Sequence, residues 1–217
     1  AKAIQDLPAM PEVVHKVLQA TEAENCNLAE LESLLGSDQA IAAKMLRVVN
    51  SAYYGMPRQV SNLGQAAMIL GLKQTRNLVL AVATMGLMRP KTQRQVLLHR
   101  HFWIHSLGCA AGAKHLAEQK KLPSASADLV FIAGLLHDIG ELFLLMNFPD
   151  SLAECLRISK EKGVSGAFVE QAAFGASHAE IGALLAEGWQ LSPSIVELVR
   201  LHEAPLPATA EPEVFCV

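Results

Sequence analysis

The chain lacks what several function classes need. Positive charge is not in excess: 18 Lys and Arg stand against 21 Asp and Glu, a formal charge of -3, which supplies no footprint for a nucleic-acid backbone. Long hydrophobic runs are missing, since Leu78 to Val82 and Leu142 to Met146 fall far short of the roughly 20 residues that cross a bilayer. No charged, apolar, small-residue leader opens the chain, so the expected compartment is the cytoplasm, with no membrane partner. The cysteines Cys26, Cys109, Cys155 and Cys216 form no C-x-x-C pair, which argues against a thiolate zinc site or a redox motif and for reduced, buried thiols. Aromatics make up only 5% of residues, and Ala and Leu outnumber Val and Ile, so a sheet has little to be built from.

What is present is helical. With 51% hydrophobic residues over 217, the chain can bury a sizeable core, and disorder is excluded. Apolar residues recur at helical spacing, as in Val13, Val17 and Leu18, then Leu28, Leu31, Leu34 and Leu35, then Ile41, Met45, Leu46 and Val49. Breaks at Pro8 and Pro11, Gly36-Ser37-Asp38, Gly55-Met56-Pro57, Arg89-Pro90, Leu122-Pro123, Phe148-Pro149 and Ser192-Pro193 leave about nine or ten helical segments. Ser177 with Glu180 reads as a capping box, and Ser192 before Pro193 as an N-cap with proline at the first helical position. The polar stretch Arg89-Pro90-Lys91-Thr92 marks the expected boundary between halves 1–90 and 91–217. Seven of the eight histidines follow residue 98, which places any ion chemistry in the second half.

The first half holds an ordered series: Leu7-Pro8-Ala9-Met10-Pro11, Ser37-Asp38-Gln39-Ala40, the helix Ile41 to Val49, Asn50-Ser51-Ala52-Tyr53-Tyr54-Gly55, and Gln65 to Leu72. This series resembles the N-terminal half of HDOD domains, the HD-related output domains of bacterial signalling proteins. Read physically, the pieces are structural. Asn50 and Ser51 stop a helix, Gly55 with Pro57 turns the chain, and Tyr53 and Tyr54 read as half-buried packing. Lys73 and Arg76 on the segment Gly71 to Val82 read as neighbours on a solvated face rather than as a DNA-recognition helix.

The second half carries Leu135-Leu136-His137-Asp138-Ile139-Gly140, a tandem His-Asp set that reads as lying inside one apolar helix. An aspartate buried among leucines needs its charge compensated. A divalent cation does this, and imidazole with carboxylate suits manganese, iron, nickel or zinc; a salt bridge to Arg or Lys is the alternative. His101, His105, Gly108, Gly112 and His115 share one helical stripe, whose small residues are expected to let a second helix carry His137 and Asp138 toward His105. His15, His99 and His115 read as ordinary core or surface residues.

This set is similar to the HD superfamily of metal-dependent phosphohydrolases, and closer to the form kept in HDOD proteins. The resemblance implies an all-α multi-helix bundle, HD-like in its C-terminal half. It implies His105 as first ligand, His137 and Asp138 as the paired ligands, and His178 and His202 as the additional histidines of binuclear forms, with one or two divalent ions as cofactor. Two departures stand out. Glu141 occupies the place where many HD hydrolases have a phosphate-holding lysine, and no aspartate follows His202. For basic side chains near the expected pocket the sequence offers only Arg100, Lys114 and Arg200, as remote candidates. The expected function is a regulatory module with a protein partner in a signalling pathway. The alternative is a phosphohydrolase acting on nucleotides or phosphate esters, with Asp138 orienting a metal-bound water.

Overall fold

The computed structural model describes residues 7–22, 28–50 and 58–204. Among them the chain forms eleven helices and no strand. They divide into two compact units, one of Ala9–Leu87 and one that runs from Met88 onward and includes Pro8.

The Ala9–Leu87 unit holds α1 (Glu12–Glu22), α2 (Leu28–Gly36), α3 (Gln39–Val49) and α4 (Leu63–Leu87). Asp38 starts α3 by accepting the backbone N–H groups of Ala40 at 2.9 Å and Ile41 at 3.1 Å. Ile41, Met45 and Val49 then recur every four residues and are buried, as the periodicity requires. Asn50 ends α3. Its Nδ2 donates to Leu46 O and Val60 O, both at 2.8 Å, and its Oδ1 accepts from Val60 N at 2.7 Å. The remaining features expected after it, Ser51, Tyr53, Tyr54, Gly55 and Pro57, lie outside the described residues, as does the side chain of Lys73. Arg76 is half-buried between the buried Thr75 and Asn77, so the expected solvated face does not hold there. α4 is kinked at Gly71, whose φ of 76° is open to glycine at no steric penalty.

The second unit holds α5 (Gln93–Gln119), α6 (Ser124–Leu136), α7 (Ile139–Asn147), α8 (Pro149–Lys162), α9 (Gly166–Phe174), α10 (His178–Gly188) and α11 (Pro193–Leu201). Thr92 caps α5 through Gln95 N. Phe102, Ser106, Ala110 and Ala117 are buried along one face of α5, and Ala110 and Ala117 meet α6. The close approach of these two helices is at Gly134, where an added Cβ would meet the Ala110 backbone at 3.0 Å. The expected seam at Gly108 and Gly112 is therefore corrected: both are exposed and nothing lies within 4 Å of a Cβ placed there. The reason is angular, because Phe102, Ala110 and Ala117, with the buried Ser106, face the core and turn the His101–Gly112 stripe outward.

Residues Ser124–Asn147 form an apolar stretch of 24 residues whose most apolar 18-residue window has a mean hydropathy of 1.9. It is interrupted at His137-Asp138 and is mostly buried within its own unit, as core helices are. α7 crosses α10 at Gly140 and Gly182, where a Cβ on Gly140 would run into the His178 carbonyl and come within 2.6 Å of Gly182 N. Gly163 (φ 64°) and Gly175 (φ 82°) end α8 and α9 in the left-handed region, two stops the sequence reading passed over. The Ser177–Glu180 capping box is formed, with Glu180 Oε2 accepting Ser177 N at 2.8 Å and Ser177 Oγ accepting Glu180 N at 3.3 Å. Ser192 holds the N-cap conformation before Pro193 but makes no side-chain cap bond.

Candidate metal centre

His137 and Asp138 do not lie inside one helix, as expected, but in the two-residue break between α6 and α7. That break is what frees their side chains. Asp138 is at the N-cap of α7, yet its carboxylate makes no capping bond. The backbone carbonyl of Asp138 instead accepts Glu141 N at 2.8 Å and Leu142 N at 3.2 Å, leaving both carboxylate oxygens for side chains.

Four histidines converge on those oxygens from four directions. Oδ2 lies 2.9 Å from His137 Nε2 and 3.5 Å from His105 Nε2, on α5. Oδ1 lies 3.2 Å from His202 Nε2, at the end of α11, and 3.7 Å from His178 Nε2, the first residue of α10. Between the rings, His105 Nε2 and His137 Nε2 are 3.4 Å apart, and His178 Nε2 and His202 Nε2 are 3.3 Å apart. All five residues singled out from the sequence are thus brought together around one carboxylate.

Three of the rings are held in a single tautomer by their far nitrogen. His137 Nδ1–H donates to Gly134 O at 2.9 Å and His202 Nδ1–H to Val199 O at 2.8 Å, each three residues back along its own helix. His178 Nδ1–H donates to Glu170 Oε2 at 2.7 Å, and the same oxygen accepts the His178 backbone N–H at 2.7 Å. Glu170, on α9, is only 2% exposed. Nε2 is thereby the nitrogen of each ring that faces the centre, carrying a proton toward Asp138 without an ion and available as a ligand once that proton leaves, the arrangement by which outer partners orient metal-binding imidazoles. The donor set of imidazole nitrogens and a carboxylate fits a divalent transition ion. His105, Cys109 and His137 form one group of candidate ligand atoms, and Asp138, His178 and His202 a second.

Electrostatics follow from this crowding. Burial pushes Asp138 upward, but hydrogen bonds from His137 and His202 outweigh it and hold the carboxyl far below the usual carboxylate range. Burial lowers His178, yet Glu170, Glu203 and Asp138 overcome it and raise the ring to about 9. His137 is raised in the same way, burial opposing and Asp138 prevailing. Burial and the charge of Asp138 push Glu141 up, and they do the same to the Cys109 thiol.

A cavity of about 570 Å³ opens beside the centre, lined by α5, α7 and α8. His105, Asp138 and Glu141 lie on its wall with apolar Leu98, Phe102, Leu145 and Leu152. His101, on the same helical face as His105, lines it too. None of the cations anticipated for this pocket is there. Lys114 pairs with Asp128 at 3.2 Å, Arg200 with Glu187 at 2.6 Å, and Arg100 is exposed away from the lining. The one arginine among the lining residues is Arg94, and Asp138, Glu141 and Asp150 line the same cavity.

Three participants were not anticipated. Glu170 precedes His178 by eight residues across the Gly175 turn, so no helical spacing connects them. Cys109 follows His105 by one helical turn and places Sγ 3.6 Å from His105 Nε2. Glu203, directly after His202, brings Oε2 to 3.8 Å from His178 Nε2 and is a carboxylate in the segment where no aspartate stands.

Comparison with known proteins agrees with this architecture. The structure is similar to that of an HDOD domain protein of unknown function from Geobacter sulfurreducens, with a TM-score of 0.78 and 26% identity over 97% of this chain and 70% of that one. It shares its fold with a Shewanella amazonensis protein named as a candidate phosphohydrolase (TM-score 0.78, 24% identity, 99% of this chain and 76% of that one). In sequence it is 26% identical over 202 residues to an uncharacterized protein of Treponema pallidum, covering 93% of this chain and 38% of that relative, so the chain spans well under half the relative's length. The HDOD domain family model matches residues 7–205, nearly the whole chain, and with an all-helical fold of the same kind the chain belongs to the HDOD domain family.

Proposed function

We propose that this chain is a regulatory module of bacterial signal transduction whose His-Asp centre binds divalent metal and, through the adjoining cavity, a small ligand, and which transmits the bound state to a protein partner. His105 and His137 would hold an ion on one side of Asp138, and His178 and His202 on the other. An ion held there would supply Lewis acidity, able to acidify a coordinated water or polarise a phosphoryl oxygen.

The observation that favours regulation over hydrolysis is the charge of the cavity wall. Asp138, Glu141 and Asp150 line it with the imidazoles of His101 and His105 and a single exposed arginine, Arg94, and no lysine. A phosphoryl group in transfer needs cationic donors around its developing charge. Like charges 4 Å apart repel by about 1 to 4 kcal/mol in surroundings between water and a protein surface. Fold does not decide the matter, because the same fold occurs in proteins named for phosphohydrolysis and, in Marinobacter aquaeolei, for signal transduction.

The test is to load the purified protein with manganese, iron, nickel or zinc in turn, then measure thermal stability and turnover of a panel of nucleotides, cyclic dinucleotides and phosphate esters. Metal-dependent stabilisation without turnover is the expected result. Turnover lost in both His137→Ala and Asp138→Ala overturns the regulatory reading in favour of a phosphohydrolase.

A further inference from the structure

We infer that the cavity beside the His-Asp centre takes an organic cation with an apolar body, of the alkylamine kind, whose ammonium group pairs with Glu141. The inference rests on the reading of this cavity as a ligand site and adds the chemical class of what it holds.

Three observations converge on that class. The cavity, at about 570 Å³, has the size of a small-molecule site rather than of an ion pocket. Leu98 and Phe102 of α5, Leu145 of α7 and Leu152 of α8 give it apolar walls on three helices, so an apolar body placed there leaves water on several sides. In the same lining, Glu141 is half-buried, and among the described residues its carboxylate makes no hydrogen bond and no ion pair. A carboxylate drawn partly out of water without a partner is unfavourable. The charge of His178 reaches Glu141, but that ring is hydrogen-bonded to Glu170 at 2.7 Å. A ligand that brings N–H donors and a positive charge supplies what the protein does not.

Other head groups fit this lining less well. A hydroxyl satisfies lone pairs of Glu141 but leaves its charge uncompensated. A carboxylate or phosphate adds like charge beside Glu141 and Asp150, with Arg94 the only lysine or arginine in the lining to receive it. The ammonium does not compete with a metal ion for the same side chain, because the candidate ligand groups contain Asp138 and not Glu141.

Calorimetric titration of the zinc-loaded and the metal-free protein with butylamine, hexylamine, hexanol and hexanoate tests the class. Hexylamine is expected to bind at least about tenfold tighter than hexanol or hexanoate. Each methylene between butylamine and hexylamine is expected to tighten binding roughly fourfold. Glu141→Gln, which keeps the shape and removes the charge, is expected to bring hexylamine down to the level of hexanol. Leu98→Trp, which fills the cavity, is expected to weaken hexylamine and hexanol alike. Equal binding of hexylamine and hexanol by the wild type, or an amine preference that survives in Glu141→Gln, overturns the inference. Tightest binding of hexanoate overturns it in favour of an anion held at the metal. Zinc uptake without amine binding overturns the inference and leaves the metal centre standing, whereas an amine preference in protein that takes up no zinc upholds it and removes the metal. The wild-type comparison decides the matter even if Glu141→Gln folds poorly.

Discussion

A single oxygen of Glu170 accepts both the backbone N–H and the ring Nδ1–H of His178, each at 2.7 Å, and so ties α9 to the first residue of α10. This buried carboxylate fixes where His178 points. Glu170→Ala is expected to weaken metal binding roughly 10- to 100-fold, as loss of an outer partner typically does. It is also expected to destabilise the fold by about 1–3 kcal/mol through the orphaned N–H groups. Chelator-competition titration and urea denaturation measure the two effects separately.

The same pair sets a pH dependence in the metal-free protein. The His178 ring keeps its proton to about pH 9 when folded, against an ordinary value of 6.5. Because the folded value is the higher one, the group's contribution to stability is complete below about pH 6.5 and is lost as pH rises through about 9. His137 acts in the same direction. Asp138, held low, contributes above its ordinary 3.8 and gives that up only in acid. Urea midpoints of the metal-free protein are therefore expected to fall between pH 6.5 and 9.5, and Glu170→Gln, which can keep both hydrogen bonds but not the charge, is expected to flatten the fall. A midpoint that rises across this range contradicts the assignment.

Gly140 allows α7 to cross α10 at backbone distance, with His178 and Gly182 directly opposite. Gly140→Ala places a methyl against backbone that cannot move aside, so it is expected to destabilise by about 3 kcal/mol or more and to displace His178 from Asp138. Thermal melting with and without zinc checks both parts: the melting temperature falls, and the stabilisation by zinc shrinks with it.

In the Ala9–Leu87 unit, Asn50 bridges the end of α3 to Val60 with three hydrogen bonds. Asn50→Ala is expected to cost about 1–3 kcal/mol of stability, without changing metal affinity, because it strands the Val60 backbone groups. Denaturation and metal titration of the same preparation test this separation.

The helical architecture was legible because Ala- and Leu-rich segments repeat with helical spacing and are punctuated by Pro and Gly. The five converging residues were legible because histidines and an aspartate set among apolar neighbours demand compensation. What escaped has physical reasons. The break at His137-Asp138 involves neither Gly nor Pro, so nothing in the local pattern distinguishes it from continued helix. The stripe of Gly108 and Gly112 suggested a helix contact, but the larger apolar residues of α5 chose the opposite face. Glu170 reaches His178 only because Gly163 and Gly175 fold α8, α9 and α10 back on one another, a relation that sequence spacing does not encode.

The central claim is that Asp138 is the shared anchor of a metal centre, and ion stoichiometry tests it most directly. Metal-free wild type and Asp138→Ala, each confirmed folded by circular dichroism, are dialysed against zinc and their bound ions counted by elemental analysis. The account predicts stoichiometric zinc in the wild type and little or none in Asp138→Ala. Zinc absent from the wild type, or retained in full by Asp138→Ala, contradicts it.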